Sequence, residues 1–216
     1  MTSLLIIDDH ALVAESLAVA LEVRGLTVTI ARGTTPEDLV SEASAQPFDL
    51  VLLDLDLGPA GDGAQLVRPL VAAGRRVLVV SGSAQPPRLD AAVAAGAEGW
   101  ISKEQRYEDL VGTVIRVANG EKLLDDARRQ QLEREARARH VARERSLAPF
   151  RALTARESEV LAALLEGLQA HAVAERFCVS EATVRSQIRG ILTKLGVSAQ
   201  LSAVALAREV GWPESR

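Results

Sequence analysis

The stretch FDLVLLDLDLG, from Phe48 to Gly58, ends an apolar run with two carboxylates one residue apart. A carboxylate at the end of a buried strand costs free energy unless it is paired or used, so its presence requires a chemical reason. Two reactions fit Asp54 and Asp56. In the first, both side chains take part in the hydrolysis of a phosphate ester. In the second, Asp54 alone accepts a phosphoryl group.

Further polar residues follow other apolar runs. Asp8 and Asp9 follow LLII, Ser81 ends RVLVVS, and Lys103 follows GWIS. In an open sheet of parallel strands, ligand sites lie beyond the carboxyl ends of the strands, so we expect these groups at one edge. Three carboxylates there would raise one another's pKa unless a cation held them. Oxygen ligands favour a hard divalent ion, and Mg²⁺ fits best.

The elements that must position these groups are short apolar runs alternating with helical patterns. Nearly continuous apolar runs are typical of strands covered on both faces, as in parallel sheets. Strands are predicted at residues 3–8, 26–30, 49–54, 76–81 and 99–102. Five βα units of this length predict an α/β fold with a doubly wound, five-stranded parallel sheet.

Cap and turn residues mark the helices between these strands. The first is predicted from His10 to Arg24, with an apolar face made by Leu12, Val13, Leu17, Ala20 and Leu21. Thr35 followed by Pro36 predicts the N-cap and first position of the second helix. Left-handed residues after helices are predicted at Gly25, Gly74, Gly96 and Gly120.

Four segments, IIDDH, LVLLDLDL, VLVVSGS and GWISK, together resemble the receiver domain of bacterial two-component response regulators, which has a flavodoxin-like fold. The resemblance covers residues 3 to about 120. It implies that Asp54 accepts a phosphoryl group from a sensor histidine kinase. It also implies that Mg²⁺ is bound by Asp8, Asp9, Asp54 and the backbone carbonyl of Asp56.

The same resemblance assigns the remaining polar groups. Ser81 would donate a hydrogen bond to a phosphoryl oxygen, and Lys103 would neutralise its charge. Trp100 matches the aromatic switch position of the family, and a half-buried packing residue is the alternative reading. A phosphatase of the haloacid dehalogenase type carries its DxD on the first core strand, whereas here the Asp8–Asp9 pair precedes Asp54. The order favours the receiver.

Composition separates the chain into parts. With 216 residues and a net charge of −4, it suits one or two domains. Residues 1–120 hold nine Lys and Arg against sixteen Asp and Glu, whereas residues 151–216 hold eight against seven. No apolar run approaches a membrane span and no signal peptide is evident, so we expect a cytoplasmic protein. The single Cys178 excludes an internal disulfide and is expected to be a small buried residue.

The segment 121–150 contains no glycine and is rich in Arg, Glu, Ala and Gln. It is predicted to be a solvated helical linker between a receiver at 1–120 and a second domain at 151–216. A dimerising coiled coil is the alternative. The heptad positions Leu124, Gln131, Ala138 and Arg145 make a poor apolar seam for it.

Residues 151–216 are predicted to be all-helical. LTARESEVLAALLEG begins with a capping box from Thr154 to Glu157. A short helix at 169–177 and a turn lead to Ser180, a good N-cap for EATVRSQIRGILTKLG. That helix carries an apolar stripe of Val184, Ile188, Ile191 and Leu195, with arginines on the other side. Two helices joined by a tight turn are the geometry that places a helix in the major groove.

This part of the chain resembles the LuxR-type helix-turn-helix, and with the receiver it makes the chain similar to response regulators of the NarL/FixJ class. Positions that match the DNA contacts of the family are Arg185, Ser186 and Arg189, with Thr183 and Lys194 at the phosphate backbone. Gln187 departs from the histidine that is frequent at this position in the family.

Together these patterns predict a DNA-binding transcriptional regulator controlled by aspartate phosphorylation, and not a metabolic enzyme. The expected partners are double-stranded DNA, a histidine kinase and a second copy of the chain, with LSAVALAREVGW as a candidate contact between copies. The alternative is a receiver that is never phosphorylated and acts as a docking or ligand-gated platform.

Overall fold

The structure is a computed structural model that describes residues 2–82 and 86–213. The chain divides into two compact units, Met1–Arg137 and Ala138–Arg216. Each unit has its own apolar core.

The first unit is built on a parallel sheet of five strands in the order β2-β1-β3-β4-β5. The strands are β1 Ser3–Ile7, β2 Thr27–Ile30, β3 Leu50–Leu53, β4 Val77–Ser81 and β5 Gly99–Ser102. This confirms the predicted sheet. The strand order reverses between β1 and β3, so the ligand site of an open α/β sheet is expected at their carboxyl ends.

Helices cover both faces of this sheet. They are α1 Ala11–Glu22, α2 Pro36–Ala45, α3 Ala64–Ala72, α4 Pro86–Ala94 and α5 Tyr107–Ala118, with a 3₁₀ turn at Gly58–Ala60. Alternate residues of β1 point to opposite faces: Leu4 and Ile6 pack with α1 and α5, whereas Leu5 and Ile7 pack with α2, α3 and α4. Thr35 caps α2 as predicted, accepting a hydrogen bond from the Asp38 amide.

The apolar face predicted for α1 is partly wrong. Its buried residues are Ala14, Leu17, Ala18 and Leu21, at spacings of three and four residues. Leu12 is 80% exposed. It lies five residues before Leu17, which on a helix is a rotation of about 140° away from the buried side.

Helix α6, Asp126–Arg151, covers most of the segment predicted to be a linker. It is not solvated along its whole length, because Leu132 is buried and the Arg129 guanidinium donates to the carbonyls of Ala97 and Glu98. Across the described ranges, no single helix is long and apolar enough to cross a membrane. The helices Glu181–Leu195 and Gln200–Glu209 reach that length and hydropathy only as a pair bent by 54°.

The second unit is helical. It contains α7 Ala155–Leu165, α8 Ala170–Arg176, α9 Glu181–Leu195 and α10 Gln200–Glu209, and its apolar core includes the predicted stripe of α9. The predicted capping box of Thr154 and Glu157 is present. Cys178 is exposed with a φ of 52°, so the expectation of a buried residue is wrong. It occupies a left-handed turn position between α8 and α9, and such positions lie at the surface.

Candidate functional site

Three carboxylates gather at the carboxyl ends of β1 and β3. Ligand atoms of Asp8, Asp9 and Asp54 lie within 4.8 Å of one another, together with a nitrogen of His10. Asp54 is buried, and the Asp8 side chain is only 6% exposed. His10 lies at the rim, with Nδ1 2.7 Å from Asp9 Oδ1. The structure therefore brings together the acidic residues that the sequence placed at one edge.

Lys103 supplies a cation to this cluster. It follows β5, and its Nζ lies 2.6 Å from Oδ2 of Asp8 and 2.6 Å from Oδ2 of Asp54. Burial alone would lower the pKa of Lys103, but hydrogen bonds and charge attraction from the two carboxylates outweigh burial and raise it. The ammonium is therefore held in its charged form beside Asp54.

Burial has the largest effect on the pKa of Asp54. Loss of solvent raises the pKa of Asp54 above the usual range of an aspartate, and the charge of Asp8 adds to the increase. The hydrogen bond from Lys103 and the backbone N–H of Asp56 oppose the shift without cancelling it. A carboxylate that has lost its solvent is less stable as an anion. Asp54 would therefore interact strongly with a cation or an electrophile placed beside it.

The chain after β3 approaches this cluster closely. Gly58 has a φ of 52°, and a Cβ there would lie 2.6 Å from Oδ2 of Asp9. A Cβ on Gly63 would lie 2.0 Å from the backbone oxygen of Asp54. Sequence reasoning missed both glycines as site residues, although the run GPAGDG signalled an unusual backbone.

The neighbouring strand ends place the other predicted groups. Ser81 is buried at the end of β4, and its carbonyl accepts a hydrogen bond from the Lys103 amide over 2.9 Å. Ser81 pairs with Ser102 in the β4–β5 register, and Val79 pairs with Trp100. Trp100 is 38% exposed. The backbones of Ser81 and Lys103 are thus hydrogen-bonded to each other at the ends of β4 and β5. Trp100 lies at the surface.

In the second unit, α9 separates apolar from polar residues. Val184, Ile188, Ile191 and Leu195 are buried in the core. The predicted contact residues Thr183, Arg185, Ser186 and Arg189 are all exposed. Arg185 donates from Nε and Nη2 to Oε1 of Glu181, and Ser180 caps the helix by accepting from the Thr183 amide. The helix therefore presents two arginines and two hydroxyls on its outer side.

Lys194 is placed differently from the arginines. Its Nζ lies 2.5 Å from Oε2 of Glu157, a buried carboxylate on α7. Gly190, one turn earlier on α9, faces the same carboxylate, since a Cβ there would lie 2.7 Å from Oε1 of Glu157. The hydrogen bond from Lys194 and the amide of Thr154 lower the pKa of Glu157. Lys194 therefore links α9 to α7 in this structure.

Both parts of the chain match known protein families. Residues 4–115 match the response regulator receiver domain, and residues 151–207 match the luxR family of bacterial regulatory proteins. The transcriptional regulatory protein DesR of Bacillus subtilis is 26% identical, over 98% of this chain and 99% of its own length. The DNA-binding transcriptional activator DevR/DosR of Mycobacterium tuberculosis is 30% identical, over 97% of this chain and 95% of its own length.

A solved structure with the same architecture is that of RcsB from Salmonella enterica serovar Typhimurium bound to promoter P1flhDC in the presence of the phosphomimetic BeF3⁻. It covers 97% of this chain and 98% of its own, with a TM-score of 0.51 and 22% identity, and at that identity it shows the fold alone. The two matched domains, in this order, and relatives that align over nearly the whole chain establish the family. The chain belongs to the response regulators of two-component systems that join a receiver domain to a LuxR-family DNA-binding domain.

Proposed function

We propose that this protein is a transcriptional regulator whose DNA binding is controlled by phosphorylation of Asp54. The observation that carries the proposal is the contact of Lys103 with both Asp54 and Asp8 inside a cluster of three carboxylates. The donor of the phosphoryl group would be the phosphohistidine of a sensor kinase. The protein would act in the cytoplasm, where it can meet both the kinase and DNA.

The acidic cluster fits Mg²⁺. Its ligands are hard carboxylate oxygens, and Gly58 allows the chain after β3 to approach Asp9 where a Cβ would collide. Asp8, Asp9, Asp54 and the backbone carbonyl of Asp56 would hold the ion. When bound, Mg²⁺ neutralises charge on the transferring phosphoryl group.

The chemical step is a displacement at phosphorus. A carboxylate oxygen of Asp54 forms a bond to phosphorus while the bond from phosphorus to the imidazole nitrogen breaks, and that nitrogen keeps the electron pair. Lys103 would then pair with a phosphoryl oxygen, and the Ser81 hydroxyl would donate to another. Lys103 already contacts Asp54, and Ser81 ends the neighbouring strand β4.

The DNA-reading element would be α9. Arg185 and Arg189 are exposed on one side of the helix, where arginine forks can read base edges in the major groove. Ser186 lies beside them and would also contact DNA, and Thr183 would contact the phosphate backbone. Lys194 is proposed at the phosphate backbone, for which it would have to leave Glu157 or reach past it.

Communication would run from the receiver, 1–120, through the linker, 121–150, to the DNA-binding domain, 151–216. Phosphorylation draws Ser81 and Lys103 toward the phosphoryl group, and Trp100 on the adjacent strand would repack. The phosphorylated protein would bind paired half-sites as a homodimer. Leu201 on α10 is 79% exposed and is a candidate contact between DNA-binding domains.

The experiment is phosphorylation with acetyl phosphate and Mg²⁺, followed by intact-mass measurement and DNA titration. We expect a single phosphate on the wild type and an increase in DNA affinity. If no phosphate is incorporated while the protein still binds DNA, the platform hypothesis replaces control by phosphorylation.

A further inference from the structure

The Arg88 side chain binds the loop that follows Asp54, the proposed phosphorylation site. It lies in the first turn of α4, and its Nη1 donates to Oδ1 of Asp56 over 2.8 Å. Its Nη2 donates to Oδ1 of Asp62 over 2.8 Å and to the backbone oxygen of Leu55 over 2.9 Å. One guanidinium thus binds three acceptors in the loop between β3 and α3.

Backbone contacts join the two ends of the loop between β3 and α3, and this closure brings together carboxylates that require a cation. Asp56 and Asp62 form an isolated antiparallel bridge, and the Gly63 amide donates to the Leu55 carbonyl over 2.8 Å. The turn therefore brings two further carboxylates side by side at the edge of an acidic site. Like charges at this distance repel, and Arg88 offsets the repulsion by pairing with both.

Arg88 also reaches Asp54 through a single peptide group. The carbonyl of Leu55 and the amide of Asp56 belong to the same planar trans peptide, so they point in opposite directions. Arg88 holds the carbonyl, and the amide on the other side donates to Oδ1 of Asp54 over 3.3 Å. Fixing one end of the peptide fixes the direction of the other, and with it the Asp54 carboxylate.

We propose that Arg88 is a positioning residue of the phosphorylation site, which holds the 55–56 peptide and the loop in the geometry that binds the divalent cation. This rests on the proposed function, since it concerns the same site. Arg88 is not itself proposed to bind the cation or the phosphoryl group. Its role is to orient the Asp54 carboxylate and the backbone of Asp56.

Positioning and simple electrostatics predict opposite results when Arg88 is removed. Loss of a positive charge near an acidic site favours binding of a divalent cation, so electrostatics alone predicts tighter Mg²⁺ binding for Arg88→Ala. Loss of the loop anchor predicts weaker binding, because ligands that are not held must be ordered when the ion arrives. Arg88→Lys keeps the charge but cannot reproduce the planar fork that binds three acceptors.

The test is the dissociation constant of Mg²⁺ for the full-length protein, measured by calorimetry without any phosphodonor. We expect Arg88→Ala and Arg88→Lys to weaken binding by about 10-fold, as for other residues that orient metal ligands. The control is Arg68→Ala, which removes an exposed positive charge from helix α3, outside the loop. Asp9→Asn, which removes a proposed ligand, identifies the heat that arises at this site.

The outcomes separate the two ideas. If the wild type shows no binding heat that Asp9→Asn removes, the proposed Mg²⁺ site itself fails. If the wild type binds but Arg88→Lys binds as tightly, or Arg88→Ala binds more tightly, Arg88 is not a positioning residue. Should Arg88→Ala fail to fold, Arg88→Lys decides, because charge alone predicts no change for it.

Discussion

Lys103 and Asp54 form a contact of 2.6 Å between Nζ and Oδ2, across a separation of 49 residues in the chain. The same ammonium binds Asp8, so one cation joins the ends of β1, β3 and β5. The ion pair offsets the cost of burying the Asp54 carboxylate. It also places a positive charge at Asp54, where the proposed phosphoryl group would be bound.

Asparagine substitutions separate the acceptor from its neighbour. Asp54→Asn is expected to abolish phosphorylation by acetyl phosphate, because the attacking carboxylate oxygen is lost. Asp56→Asn is expected to retain most of it, because an asparagine Oδ1 can still accept from Arg88 and only the backbone carbonyl of residue 56 is proposed to bind Mg²⁺. Intact-mass measurement checks both. A phosphate that survives in the Asp54 variant would show that another residue is the acceptor.

Alanine substitutions on α9 test the face proposed to read DNA. Arg185→Ala or Arg189→Ala is expected to weaken specific binding by roughly 1–3 kcal/mol if the arginine reads a base edge. The helix should persist, since both side chains are exposed and alanine favours helix. Fluorescence anisotropy on specific and scrambled DNA, with circular dichroism as the folding control, measures the effect. If the variant and the wild type bind DNA with equal affinity, the side of α9 that carries these arginines does not enter the groove.

Lys194 needs a separate test because it contacts Glu157. If it also binds a phosphate, Lys194→Ala lowers the slope of log affinity against log salt by about 1 for every DNA sequence. If its role is confined to the ion pair with Glu157, the slope stays the same and only the stability of the second unit falls. Salt titrations at two DNA sequences distinguish these results.

The pH dependence of stability is expected to reflect Glu157. Its pKa is lower in the folded protein than the usual value of about 4.3, so its contribution is complete above that pH and is lost as the pH falls through the folded pKa. The stability advantage of the wild type over Glu157→Gln should therefore shrink on acidification below about pH 4.3.

Thermal unfolding in a Trp100→Phe background would measure this advantage. In that background Trp212, which stacks on Phe150 with ring centroids 5.7 Å apart, reports on the second unit. Other carboxylates titrate in both proteins, so they cancel in the comparison. An advantage that does not depend on pH between 3 and 7, to within about 0.3 kcal/mol, would mean that Glu157 is not stabilised as an anion.

The strand ends explain how much of the receiver site the sequence could predict. Apolar runs identified β1, β3 and β4, and the topology of parallel sheets places their carboxyl ends together whatever the loops do. Asp8, Asp9, Asp54 and Lys103 could therefore be expected near one another. Arg88 could not, because its partners depend on the closure of a loop by the hydrogen bond from Gly63 to Leu55.

The remaining differences between the sequence predictions and the structure concern which side of a helix a residue occupies. The sequence showed that Lys194 lies on α9, but not that it faces α7, since that depends on how the two helices pack. Gly190 offered a signal: a glycine inside a helix is unfavourable unless another group approaches closely, and Lys194 is one turn further on the same side. Leu12 shows the opposite case, an apolar residue that fits the pattern of α1 loosely and is exposed.

The start of α6 is attached to the strand that carries Trp100. Arg129 donates from Nη1 to the Ala97 carbonyl over 2.9 Å and from Nη2 to the Glu98 carbonyl over 3.0 Å. These two carbonyls immediately precede β5, and Lys103 immediately follows it. The Glu98 carboxylate is itself held by Arg76. A shift of β5 that follows phosphorylation would therefore move the point at which Arg129 holds α6.

Removing this contact is expected to uncouple the receiver from DNA binding. Arg129→Ala should accept phosphate like the wild type, because Arg129 bonds to the chain before β5 and the acidic site lies after it. The increase in DNA affinity on addition of Mg²⁺ and beryllofluoride should be smaller, because α6 is no longer tied to β5. Arg128→Ala removes the adjacent, exposed arginine and is the matched control. DNA titrations of the three proteins with and without beryllofluoride measure the coupling. If Arg129→Ala and Arg128→Ala respond to beryllofluoride as strongly as the wild type, the signal reaches the DNA-binding domain by another route.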